Sequence, residues 1–165
     1  MASGGLILYP TISNASSSSL ITKSSVSHQA DIRQKLFGKQ VEITGQIFDT
    51  TGKNILSGAK VEFWHLSPES YEYNHRSALV TDANGNFKIL TDFPNREIGK
   101  QVTIHFKVSN DINEAFTELK FSNVGAYITD KHWETNRNLA DNLLFPKIEK
   151  SLYKTKINFN ISINQ

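Results

Sequence analysis

In the segment "KQVTIHFKV", Lys100 to Val108, an imidazole stands on the polar face of a run whose other face is apolar. Val102, Ile104, Phe106 and Val108 alternate with Thr103, His105 and Lys107, the period-two pattern of a strand with one buried face. His105 therefore projects away from the core. Histidine titrates near neutrality and its neutral ring binds metals, so a residue placed there can carry a proton or hold a metal. It can equally serve as a polar support between sheet and loop. The chain has no cysteine, which excludes disulfides and thiolate metal sites without fixing a compartment.

The elements that must position His105 are short strands. "VEITGQIFD" alternates and runs into "DTTGKNILSG", a polar turn region. "AKVEFWHL" alternates again, with Val61, Phe63 and His65 opposed to Glu62 and Trp64, so that His65 supports the sandwich. "SALVTDANGNFKILTDF" reads as a hairpin turning at Asp82-Ala83-Asn84-Gly85, because Asn-Gly tolerates the positive φ of tight turns. "EAFTELKFS" follows, then "KINFNISI", with Ile157, Phe159, Ile161 and Ile163 on one face. This spacing of strands and turns predicts an all-β sandwich. Helix is minor: one is expected in "QADIRQKLFGK", stopped near Gly38, and a turn or two in "KHWETNRNLADNL".

A chain of 165 residues suits one ordinary domain, here residues 29–165, preceded by a Ser-rich flexible arm over 1–28. His28 falls in that arm and is read as solvated. Formal net charge is +2 with no Lys/Arg block, which argues against nucleic acid as a partner. No apolar run is long enough to span a bilayer, and the N-terminus lacks the basic start of a signal peptide, so the chain reads as soluble and cytoplasmic. "NAS" at Asn14 and "NIS" at Asn160 match the glycosylation sequon, a pattern frequent by chance. The apolar last strand and the exposed edges of a sandwich suggest a homodimer.

Several stretches, in order from about Val41 to Phe121, resemble the intradiol ring-cleavage dioxygenases of the catechol and protocatechuate type. "VEITGQIFDTTGKNILSGAKVEFWHLSP" is similar to their first strands. "YNHR…ALVTDANGNFKILT" is similar to "Y-x-H…TD-x-x-G-x-Y-x-F-x-T", "TIHFKVS" to "H-I-H-F-x-V-S" and "FTELKF" to "TTQLYF". The resemblance implies an immunoglobulin- or transthyretin-like β-sandwich. In active members it also implies one ferric ion held by two tyrosines and two histidines, a hard phenolate set completed by imidazole.

Carried over residue by residue, the resemblance places His105 on the second histidine and Thr103 on the first, with Tyr73 on the first tyrosine. The loop after Trp64 is one residue longer than the family's, so Tyr71 is the alternative. Glu97 falls on the second tyrosine and Lys100 on a family arginine. Two of four ligands are thereby changed, and the cofactor is either ferric iron in a rearranged shell or none. Tyr73 and His105 are the metal candidates, with Glu97 and His75 as substitutes, although His75 reads more simply as an exposed loop residue. Without metal, Tyr73, Glu97, Lys100 and His105 form an acid/base set with Lys100 steadying an anion; a free tyrosine ionises only near pH ~10. His132 and Trp133, in "DKHW", read as a surface loop or as a cover over the pocket's end.

Three functions follow. The first is an enzyme reusing the pocket for other chemistry, such as cyclisation, isomerisation or dehydration of a small, aromatic or polyketide-like molecule. The second is an iron-dependent ring-cleaving dioxygenase, and the third a non-catalytic binding sandwich. A concave site at Tyr73 and His105 separates the first two from the third.

Overall fold

The computed structural model describes residues 27–35, 37–122 and 124–164. The arm expected over 1–28, with its Asn14 sequon, lies outside these residues except for Ser27 and His28. The strands, in chain order, are β1 (Gln29–Asp31), β2 (Gln40–Phe48), β3 (Lys60–His65), β4 (His75–Val80), β5 (Asn86–Asp92), β6 (Val102–Ser109), β7 (Glu114–Phe121), β8 (Ala126–Ile128), β9 (Lys147–Lys150), β10 (Lys154–Asn158) and β11 (Ile161–Ser162). Helix α1 (Asp130–Asn136) and a 3-10 turn at Asp141–Leu143 lie between β8 and β9.

These strands form two sheets, ordered β1-β5-β2-β10-β9, with β11 also on β2, and β4-β3-β6-β7-β8. The apolar residues picked out by alternation fill the space between them. Val41, Ile43, Val61, Phe63, Ile89, Ile104, Phe106, Leu119, Phe121, Ile157, Phe159 and Ile161 are all essentially inaccessible. Burying each such side chain contributes roughly 1.5–3 kcal/mol. The interior apolar face of β6 thereby turns His105 and Thr103 outward, on the outer face of the five-stranded sheet.

One glycine has a clear steric reason. A Cβ at Gly45, mid-β2, would lie 2.0 Å from the Phe159 carbonyl oxygen, because the chain between β10 and β11 crosses closely there. The Phe159 amide donates to the Thr44 carbonyl at 2.8 Å, and the Asn160 side chain accepts from the Gln46 amide at 2.9 Å. Asn160 is thus buried and bonded, a poor glycosylation acceptor.

Two local expectations are corrected. Asp82 to Gly85 do form the turn, with Gly85 at φ 68° and its amide on the Asp82 carbonyl. Yet β4 pairs with β3 and β5 with β2, so the turn carries the chain from one sheet to the other and is not a hairpin. The "QADIRQKLFGK" stretch is not helical: Gln29–Asp31 pairs in parallel with β5, and the Asp92 carboxylate takes the amides of Gln34 and Lys35, which a helix would need elsewhere. His28 is exposed, in line with the solvated reading, and is also tied to the sheets. Its Nδ1 lies 2.8 Å from the Val80 carbonyl, and its own carbonyl accepts from the Lys88 amide.

Candidate acid–base cleft

His105 sits in the middle strand of three that place their side chains in a row. Trp64 of β3 and Glu118 of β7 are its direct cross-strand neighbours. The indole stacks on the imidazole with centroids 5.5 Å apart and planes 12° off parallel. On the other side His105 Nδ1 lies 3.1 Å from Glu118 Oε1. A carboxylate only accepts, so Nδ1 carries the hydrogen and, in the neutral ring, Nε2 keeps its lone pair.

Two loops close over this row. The β3–β4 loop brings Tyr73 to 5.7 Å from His105, ring centroid to centroid, edge to face. The segment after β5 makes a turn from Glu97 to Lys100, with the Lys100 amide on the Glu97 carbonyl and Gly99 at φ 75°, a backbone that glycine adopts without strain. That turn folds Lys100 onto Glu97 as a close ion pair. The Tyr73 hydroxyl donates to Glu97 Oε1 at 2.5 Å. Lys100, and then the Tyr73 hydroxyl, hold the Glu97 carboxyl below its ordinary range. The Glu97 hydrogen bond, reinforced by partial burial, pushes the Tyr73 phenol up to about 12. Tyr73 thus keeps its proton at neutral pH.

The cleft so enclosed has a volume of about 370 Å³, lined by Tyr73, Glu97, Lys100, Thr103, His105 and Glu118 among others. Tyr73, Glu97, Lys100 and His105, separated in sequence, meet there. Tyr71 does not line it and is 66% exposed. Sequence reasoning missed Glu118, although "FTELKF" was singled out. Its alternation puts Phe116, Glu118 and Lys120 outward, but only the register set by the β6–β7 turn places Glu118 opposite His105.

His75 is elsewhere, and the expectation of an exposed loop residue is corrected. It opens β4 directly opposite His65, and both are buried. His75 Nε2 lies 3.2 Å from Asp92 Oδ2 and Nδ1 lies 2.9 Å from Ser67 Oγ. His65 gives its Nδ1 hydrogen to the Leu66 carbonyl and accepts the Thr91 hydroxyl at Nε2, both at 2.7 Å. Burial pushes His65 down to about 4, so it is neutral as expected of a core support. The loop from Leu66 to Asn74, which carries Tyr73, springs from this knot. Asn95 donates its amide to the Leu66 carbonyl and its side chain to the Ser70 carbonyl, tying that loop to the segment carrying Glu97.

His132 is not a surface residue either. It is buried, taking the Thr117 hydroxyl at Nδ1 and facing the Leu143 carbonyl with Nε2; burial lowers its pKa. Trp133 beside it is exposed against Phe145. No helix among the described residues is long and apolar enough to cross a membrane.

No family model matches the chain. It is 28% identical to the chlorocatechol 1,2-dioxygenase of Pseudomonas putida over 119 residues, an alignment covering 56% of this chain and 45% of that protein. The chain thus spans about half the length of the curated relative it matches. Among solved structures it is similar to the dioxygenase domain of a dioxygenase–carbohydrate-binding fusion from Streptomyces sp. SirexAA-E, with a TM-score of 0.58, 18% identity, and 81% of this chain and 84% of that one covered. It is also similar to an intradiol ring-cleavage dioxygenase from Tetranychus urticae (TM-score 0.56, 17% identity, 81% and 84% covered). A third is the catechol 1,2-dioxygenase of Acinetobacter sp. ADP1 (TM-score 0.55, 18% identity, 82% and 56% covered). The fold is that of the intradiol dioxygenase structures. By distant likeness in sequence and structure, this is an intradiol-dioxygenase-like protein.

The ferric ion implied by that resemblance calls for two phenolates and two imidazoles. The residues lining this cleft include one phenol, whose proton is held by Glu97, and one imidazole, whose Nδ1 is held by Glu118. Among the described residues no group of three or more His, Cys, Asp or Glu is arranged to hold a metal. The donor set does not fit that ion.

Proposed function

We propose that the chain is an enzyme that uses the cleft of an intradiol-dioxygenase sandwich for proton transfer on a small oxygen-bearing molecule. The reaction class is isomerisation, cyclisation or dehydration through an enol or enolate. One observation carries this reading: a protonated Tyr73 hydroxyl and a His105 ring oriented by Glu118 face the same cleft. In this reading His105 Nε2 removes a proton from the carbon beside a carbonyl. Tyr73 donates a hydrogen bond to the oxygen on which negative charge develops, and Lys100 steadies that charge through space. Glu97 holds the phenol in place until substrate displaces the contact, and Glu118 fixes the tautomer of His105. Positioned acid and base groups of this kind contribute about 10²–10⁴-fold each.

The second reading, ring cleavage of a catechol with oxygen, draws on the named activity of the Pseudomonas putida relative. One assay separates the two. A panel of enolisable aromatic ketones and 1,3-diketones is incubated with the protein in deuterium oxide and followed by NMR. In parallel, iron-loaded protein is given catechol in an oxygen electrode. The proposal expects deuterium wash-in that falls at least ~100-fold in His105→Ala and Tyr73→Phe, with no oxygen uptake. Oxygen uptake with ring-opened product, and wash-in equal to buffer, would overturn it in favour of the second reading.

A further inference from the structure

His105 and Glu118 line two cavities. The second, about 390 Å³, lies beyond them and is walled by Trp64, Phe106, Phe116, Thr117, Thr129 and Lys131. Its character differs from the polar cleft. Phe116 is 53% exposed on the outer face of β7, and the Trp64 ring lies flat against His105. Of the hydroxyls that border it, Thr117 donates to His132 Nδ1 and Thr129 accepts from the His132 amide. Glu118 is engaged by His105 and Lys120. Lys131 has no ion-pair partner among the described residues and is the remaining charge facing this groove.

We infer that the molecule processed here is elongated and amphiphilic. Its oxygen-bearing head lies in the polar cleft, its flat apolar body lies along Trp64 and Phe116, and an anionic group at the far end meets Lys131. The inference rests on the proposed proton-transfer role of the cleft. Each cavity alone is near the lower limit for ligand pockets, whereas the two, which share His105 and Glu118 in their linings, together suit a body of two fused rings or a ring with a chain. An apolar wall orients a flat ligand only loosely; Lys107, over the Phe116 ring, is held by Glu114, and Lys131, the cation of the lining itself, supplies the end-to-end direction.

The probes are 2-naphthoate and its neutral isostere 2-naphthamide, with binding read by ligand-observed NMR. The expected result is a preference of about fivefold for the carboxylate, as for an exposed ion pair, abolished or reversed in Lys131→Glu. Phe116→Ala weakens both probes about tenfold. Both side chains are exposed, and a thermal melt of each variant confirms that it folds. Naphthoate binding and deuterium wash-in are read separately on the wild-type protein and on each groove variant, so that binding without wash-in, or wash-in without binding, is told apart. Failure of the groove and failure of the acid–base reading are thus separable. Equal affinity for the two probes, or affinity indifferent to both Lys131→Glu and Phe116→Ala, would overturn the inference. So would a dimer, seen by sedimentation, that neither probe enters.

Discussion

Of two histidine–carboxylate pairs, one joins the start of β4 to the end of β5 and the other lies across β6 and β7. His75 and Asp92 are shut inside, with side chains 1% and 3% exposed; His105 and Glu118 face the cleft at 21% and 37%. The chemical groups are the same, but their surroundings differ. Inside, both His75 nitrogens are engaged, by Ser67 and by Asp92, and Asp92 Oδ2 also takes the Gln34 and Lys35 amides. Such a pair is closed to a substrate by burial, and its hydrogen bonds fasten chain to chain. In the cleft, Glu118 holds one ring nitrogen of His105, and no hydrogen bond among the described residues occupies the other. The comparison teaches that exposure, not residue type, separates a buried fastening from a pair that a ligand can reach.

The largest effects should come from the buried pair. Asp92→Ala removes the acceptor for His75 and for two backbone amides, and is expected to lower unfolding free energy by about 3–5 kcal/mol in urea titration. The same experiment on Glu118→Gln or His105→Ala should show less than about 1 kcal/mol. If the cleft pair proved as costly to break as the buried one, the distinction would fail.

Acid should find the buried region first. His65 ionises at about 4 in the folded protein, against an ordinary 6.5 in the unfolded chain. Between those values the unfolded chain binds the extra proton, so stability is complete above pH 6.5 and falls as pH drops toward 4, by about 3 kcal/mol in total. His65→Gln should flatten that stretch of the stability–pH curve, as followed by thermal melts from pH 7 to pH 4.

The smallest effect sharpens the cleft itself. Removing the negative charge in Glu97→Gln should bring the Tyr73 phenol down from about 12 toward its ordinary 10. Difference absorbance against Tyr73→Phe in alkaline titration reads this directly, and a shift upward would contradict the placement of Glu97. Stability at pH 7 should hardly change.

Much of this was legible in the sequence. Alternation in β2, β3, β6 and β7 gave the sandwich and put His105 on the outer face, because a period of two follows from strand geometry whatever the neighbours are. The resemblance named Tyr73, Glu97 and Lys100, and they do meet His105. Alternation could not tell which sheet a strand joins, and so the Asp82–Gly85 turn was misread as a hairpin. Nor could it tell that His75 is buried: the residue follows a polar loop, and its partner Asp92 lies on the other sheet. Glu118 escaped for a related reason, since cross-strand register is a property of two segments and not of either alone.

The central claim is that His105 presents a free Nε2 beside a protonated Tyr73 hydroxyl. Nitrogen-15 and carbon-13 NMR of labelled protein at pH 8.5, with His105→Gln and Tyr73→Phe to assign the signals, tests it most directly. The account predicts a hydrogen-bearing Nδ1 and a lone-pair Nε2 on His105, with the Tyr73 Cζ at its phenol position. A hydrogen on Nε2 instead, or a Tyr73 phenolate at that pH, would contradict it.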